Sequence, residues 1–273
     1  MHNEFLDLEA QSKQDQNRRR IDDALNWISQ LNFRTRQADH MTSLSTDTGK
    51  WFLESDKFQA WLETSKSTLF CPGMPGAGKT MLAACVIRHI QAEILDSTTT
   101  AASLAYIYCD YQDQKEQSGR QLLGSLLRQI VEKNHSLAEP LLALHQNHME
   151  NRTMPSADEI VSALKTVISQ QTDVFILVDA IDECSQEGGT RVQLLQILRG
   201  LCVDLEPVHI LVTSRGVPEI VALMKDAPSI EIKANSEDIS DYVRSRFADY
   251  KVALKDNWPS NVEDVILRRT NGM

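Results

Sequence analysis

The 273-residue chain has no apolar run approaching the roughly 20 residues needed to span a bilayer. Its first 30 residues are polar and charged, which does not fit a signal peptide. Basic residues are in the minority: 28 Lys and Arg stand against 38 Asp and Glu, a net charge of −10. That balance argues against nucleic-acid binding through a general basic surface. The five cysteines, Cys71, Cys85, Cys109, Cys184 and Cys202, are scattered and include no C-x-x-C pair. An odd, dispersed set in apolar runs fits small core residues in a reducing compartment, with neither a disulfide frame nor a zinc site. Internal repeats and low-complexity tracts are also missing. The resulting expectation is a cytoplasmic protein with no membrane and no nucleic-acid partner.

What is present is a phosphate-loop pattern. Gly73-Met74-Pro75-Gly76-Ala77-Gly78-Lys79-Thr80 fits G-x-x-x-x-G-K-[S/T] at every fixed position. Its glycines let the backbone turn tightly and come close to a ligand. Successive N–H groups then form an anion-binding nest, reinforced by the start of a helix. Lys79 can reach the β- and γ-phosphates, and Thr80 can offer its hydroxyl to Mg²⁺. The context fits. Ser67 to Cys71 is a short apolar strand, and Met81, Leu82, Val86, Ile87, Ile90 and Ile94 recur at helical spacing. The nucleotide site is therefore expected to comprise residues 73–81, from Gly73 through Met81, with ATP or GTP and Mg²⁺ as the ligands.

Further strands are predicted at Leu104–Cys109, Val174–Asp179, Val208–Thr213 and Ser229–Ile232, each reached through a helical pattern. The run Val174 to Val178 is continuously apolar, as in a parallel strand buried on both faces. Ser156-Ala157-Asp158-Glu159 has the form of a capping box ahead of a helix. The expected fold is α/β: a three-layer P-loop NTPase with a mostly parallel five-stranded sheet, preceded and followed by helical segments. Residues 1–47 read as an N-terminal helical region and linker, with 1–18 poorly ordered and 35–47 as the linker. Residues 48–235 form the core, and 236–273 begin a C-terminal helical extension. Aromatic residues, only 6% of the chain, crowd at Trp51, Phe52, Phe58 and Trp61. Packing against the core is the favoured reading, and cover for a nucleotide base is compatible with it.

Two more polar signals sit at strand ends, where open α/β sheets bind ligands. Asp179 closes one buried strand, a place from which a carboxylate holds Mg²⁺ together with the loop hydroxyl of Thr80. Asp182 and Glu183 follow, and one of them could orient and deprotonate an attacking water. Arg215 ends the next strand and could sense a γ-phosphate, the alternative being an ion pair with a neighbouring acid. Lys79, Asp182, Glu183 and Arg215 are the expected catalytic residues, with Thr80 and Asp179 at the metal. His145 and His148 are read as surface histidines and not as metal ligands.

Taken together, Thr48-Gly49-Lys50-Trp51, Phe58, Trp61, Gly73 to Thr80, Leu177 to Cys184, Leu211 to Arg215 and Asp238 to Val243 resemble the NACHT family of signalling NTPases. The likeness is greatest to the fungal heterokaryon-incompatibility and NOD-like type and covers about residues 20–273. The resemblance implies a nucleotide-switched ATPase or GTPase, slow in turnover, that self-associates when active. It also implies an N-terminal effector region, C-terminal repeats and a winged-helix segment, none of which is recognisable here. On that reading the chain looks truncated within its helical extension.

Overall fold

The computed structural model describes residues 2–42, 44, 48–95 and 101–233. The expected helices around Ile239 to Phe247 and Val262 to Ile266, and the Asp238 to Val243 pattern, lie outside the described residues.

Among the described residues four strands form the sheet: β1 (Ser67–Pro72), β2 (Ala102–Tyr108), β3 (Asp173–Asp179) and β4 (Val208–Ser214). They lie in the order β1-β4-β3-β2, and every pairing is parallel. The middle strands β3 and β4 are buried almost throughout, which is why they read as unbroken apolar runs. The mainly parallel α/β architecture agrees with expectation, but the strand count differs. Ser229 to Ile232 does lie beside β1, yet it makes only two isolated bridges, Phe70 to Ser229 and Gly73 to Ile232. Ile230 and Ile232 donate to the Phe70 and Pro72 carbonyls at 3.0 and 2.6 Å. Pro72 has no N–H to return, so the ladder breaks there and no fifth strand is completed.

Helices pack on the sheet in two groups. α5 (Lys79–His89) lies on β3 and β4, with α2 (Phe33–Thr42) against α5 and β2. α6 (Gly119–Lys133) covers β2, while α9 (Thr190–Asp204) covers β4 and β1, and α8 (Ala157–Ile168) packs on α6. The expected capping box at Ser156 is formed, with Ser156 and Glu159 each bonding the other's backbone N–H. α1 (His2–Ile28) is one helix, and its Ile21, Ala24, Leu25 and Ile28 are buried in the core. The expected disorder of residues 1–18 is thus replaced by helix from His2 onward. The expected linker is corrected in the same way, because residues 35–42 belong to α2. Its Arg36 pairs with Asp110 at 3.3 Å and with Asp113, tying the helix to the loop after β2. Polar composition concealed α2, since much of what it contributes is polar anchoring.

The aromatic segment packs. Phe52 and Phe58 are fully buried, and Trp61 stands edge-on to Phe175 at 5.8 Å. The Trp61 indole N–H donates to the Ile210 carbonyl at 2.9 Å. Ser67 Oγ donates to the Trp61 carbonyl, and Ser67 pairs with His209 at the N-terminal ends of β1 and β4. Trp61 therefore sits at the end of the sheet away from the phosphate loop, where it cannot cover a base. Trp61→Ala should lower the unfolding free energy by about 3–5 kcal/mol, from lost packing and a lost buried hydrogen bond. Urea denaturation with an unchanged slope would show it, whereas a loss under about 1 kcal/mol would mean the ring is not a core element.

Candidate functional site

The phosphate loop leaves β1 and enters α5, as its spacing requires. Gly78 adopts φ 89°, a left-handed conformation that glycine reaches without a Cβ clash. Gly73 has a different constraint: a Cβ there would lie 2.5 Å from the Ile232 carbonyl oxygen. The loop's first residue is thus pressed against the backbone running beside β1. Lys79 Nζ donates to the Gly73 and Met74 carbonyls, each at 2.9 Å. Partial burial lowers the Lys79 pKa, while Asp182 and Asp179 oppose that by favouring its charge. Met74 is exposed at the rim of the loop.

Asp179 ends β3 and is buried. Its Oδ1 accepts from Thr213 Oγ1 at 2.6 Å, and the Thr80 hydroxyl is close enough to the carboxylate to favour its charge. Burial pushes the Asp179 carboxyl up from the ordinary range, and the Thr213 and Thr80 hydroxyls hold it back in part. Thr80 and Asp179 are therefore neighbours. A hydroxyl and a carboxylate side by side are the hard oxygen donors that fit Mg²⁺, which takes few protein ligands and completes its shell with water and phosphate.

After Asp179 the chain turns through Ala180, at φ 52° and ψ 46°, into a short 3₁₀ segment, Ile181–Glu183. This turn separates the two acids. The Asp182 side chain is almost fully buried and takes both the Arg215 amide at 2.9 Å and the Arg215 Nε at 2.5 Å. Burial alone would raise the Asp182 pKa, but the bonds from Arg215 outweigh it and hold the carboxyl below the usual range. Glu183 is more open. Burial raises its pKa, the Tyr111 amide and Arg215 oppose that rise, and Arg215 Nη2 stands 3.5 Å from its Oε1. Of the two readings of Arg215, the ion pair with neighbouring acids is the one formed here.

Some contributors carried no recognisable signal in the sequence. Thr213 reads as an ordinary strand residue but bonds Asp179. Arg191 on α9 is buried, and its Nη2 donates to the Asp182 carbonyl at 2.5 Å and to the Cys184 carbonyl at 3.0 Å. An arginine on an otherwise apolar helix face is a weak hint at best. The neighbouring Cys184 and burial push the Cys109 thiol up. His148 corrects an expectation. It is buried, 6.0 Å from the Trp27 ring, with Nδ1 2.6 Å from Thr153 Oγ1 and Nε2 3.2 Å from Glu159. It ties α7 (Glu139–Asn151) to α8 and is not a surface residue. Among the described residues no group of three or more His, Cys, Asp and Glu could hold a metal, and no helix is long and apolar enough to cross a membrane.

The family model described as "Nephrocystin 3, N-terminal" matches residues 47–215, more than half of the chain and all of the site just described. No curated protein matches. Among solved structures, the Walker-type ATPase paby2304 of Pyrococcus abyssi is 16% identical, with a TM-score of 0.50 over 78% of this chain and 60% of that one. At that identity the likeness speaks to the P-loop NTPase fold alone. The Aeropyrum pernix ORC1 protein in complex with DNA is 16% identical, with a TM-score of 0.48 over 76% of this chain and 50% of that one. Domain III of the Thermotoga maritima replication initiation protein DnaA is 14% identical, with a TM-score of 0.44 over 86% and 85%. The chain spans 50 to 61% of the length of the first solved structures it matches.

Proposed function

We propose, from the premise that this chain belongs to the nephrocystin 3 N-terminal family, that it is a nucleotide-binding P-loop NTPase that hydrolyses Mg-ATP or Mg-GTP slowly as a switch. The observation that carries the reading is convergence. The phosphate loop, Asp179, Glu183 and Arg215 come from the C-terminal ends of three adjacent strands, β1, β3 and β4. The loop amides and Lys79 cradle the phosphate tail, and Lys79 exchanges the Gly73 and Met74 carbonyls for phosphate oxygens. Thr80 and Asp179 would hold Mg²⁺, which would supply positive charge against the phosphates. The need is electrostatic: Asp179, Asp182 and Glu183 outnumber Lys79 and Arg215 before a triphosphate enters.

The two acids then divide the work. Glu183, whose pKa is raised, is the base that orients and deprotonates water. Asp182 is the anchor of Arg215. An arginine paired with two acids is unavailable to a γ-phosphate until that pairing opens, which agrees with slow turnover and gives the switch a part to move. The same observation favours a second reading, a nucleotide-binding scaffold with negligible turnover. At the finer level we assign the chain to NACHT-type signalling, of the fungal NOD-like kind, in the cytoplasm, with self-association in the nucleoside-triphosphate state.

Particle mass and bound nucleotide, measured on purified protein with ADP and with a non-hydrolysable ATP analogue, test the switch. The expected result is retained nucleotide in both states and a larger particle with the analogue. A monomer in both states with no nucleotide bound would sink the reading.

A further inference from the structure

We infer that Thr213 is the positioning residue of the carboxylate turn: one buried hydroxyl orients Asp179 and fixes the backbone turn that delivers Glu183. The inference rests on the reading above, in which Asp179 serves Mg²⁺ and Glu183 serves water.

The β3–β4 register pairs Val178 with Val212, so Asp179 and Thr213 are the next residues along both strands. Thr213 is fully buried. A hydroxyl has one proton to give, and here it goes to Asp179 Oδ1 at 2.6 Å. A lone pair of the same oxygen accepts the Ala180 amide at 2.8 Å. Ala180 is in the left-handed region, uncommon for a residue with a Cβ, so its conformation needs an external hold. The Ala180 carbonyl in turn accepts the Glu183 amide at 2.8 Å, closing the turn. A continuous chain of bonds therefore runs from the Asp179 carboxylate through Thr213 and Ala180 to Glu183. Thr213 also fixes which carboxylate oxygen is already committed and which remains for a cation beside Thr80. Its branched Cβ limits rotation, so the hydroxyl keeps one direction. Valine matches threonine in shape but provides neither the proton nor the lone pair. Serine provides both.

The experiment compares wild type, Thr213→Val and Thr213→Ser in the full chain. The affinity of a fluorescent ATP analogue is measured with Mg²⁺ and with EDTA, next to the thermal midpoint. Outer-shell partners of metal ligands are typically worth about 10- to 100-fold in affinity. Thr213→Val should lose a factor of that size from the Mg²⁺-dependent gain while its affinity in EDTA stays within about twofold. Thr213→Ser should keep the gain, which a role in packing alone does not predict. Equal Mg²⁺ dependence in wild type and Thr213→Val overturns the positioning role, and so does equal impairment of the Val and Ser variants. If Thr213→Val does not fold, Thr213→Cys, a weak donor of similar size, takes its place, and wild-type Mg²⁺ dependence in that variant overturns the role. Wild type that binds no nucleotide in either condition would instead overturn the functional reading on which this one rests.

Discussion

Lys79→Ala should weaken Mg-ATP binding by roughly a hundredfold or more and leave the fold intact. Removing a charge that meets a buried or partly buried anion costs about 2–5 kcal/mol, and each 1.4 kcal/mol is a factor of ten. The stability of the free protein should change little. Lys79 is half-buried, and the two carbonyls it serves belong to a loop with exposed residues at Met74 and Gly76, where water can replace it. A thermal midpoint within a few degrees of wild type, together with a binding isotherm shifted a hundredfold, is the expected pair of results. Unchanged affinity in a folded Lys79→Ala protein would falsify the phosphate site itself, whatever else the chain does. Loss of both binding and fold would instead mean that the bonds to Gly73 and Met74 hold the loop together.

The second large effect separates two neighbouring acids. Glu183→Gln should keep nucleotide affinity within a few fold and lower turnover by about 10²- to 10⁴-fold, the range for removing a general base. Asp182→Asn should act differently. It leaves an oxygen for the Arg215 amide but removes the charge that Arg215 Nε is paired with. Its main consequence should be lower stability and a freed guanidinium, with a smaller loss of turnover. The pH profile gives an independent check. Glu183 must be deprotonated to act, and burial raises its pKa, so turnover should fall on the acid side at a pH above that of an ordinary glutamate. The Asp182 pKa is held down, so titration of Asp182 would put that limb at lower pH. A limb that survives in Asp182→Asn and disappears in Glu183→Gln supports the division of roles. Equal turnover loss in the two variants, or wild-type turnover in Glu183→Gln, would assign the base elsewhere.

On the proposed switch reading, the pairing of Arg215 is the most consequential arrangement in the site. The guanidinium has Asp182 on one side and Glu183 on the other, so the proposed base and the proposed sensor restrain each other. A γ-phosphate that draws Arg215 away would also release Glu183 toward water. Meanwhile Gly73 is pressed against Ile232, where the described chain ends its run beside β1. The first residue of the proposed phosphate loop is therefore also in contact with the segment that runs beside β1.

The linear order of residues was enough to determine the phosphate loop, the buried strands and the acids and arginine at their ends. Each rests on a local rule: glycine spacing, an unbroken apolar run, or a polar residue closing such a run. The capping box at Ser156 was legible for the same reason, since its partners lie within a turn of chain. Tertiary structure decided whatever depends on partners far apart in sequence. It placed Thr213 on Asp179 across 34 residues and Arg215 on Asp182 across 33. It made a helix of the expected linker by giving Arg36 two acids beyond β2, and it buried His148 between helices. It also stopped the fifth strand, because Pro72 cannot donate to the edge where that strand would have joined. Which acid is buried under Arg215 and which is more open follows from strand register and a left-handed alanine, and no local pattern in the chain encodes either.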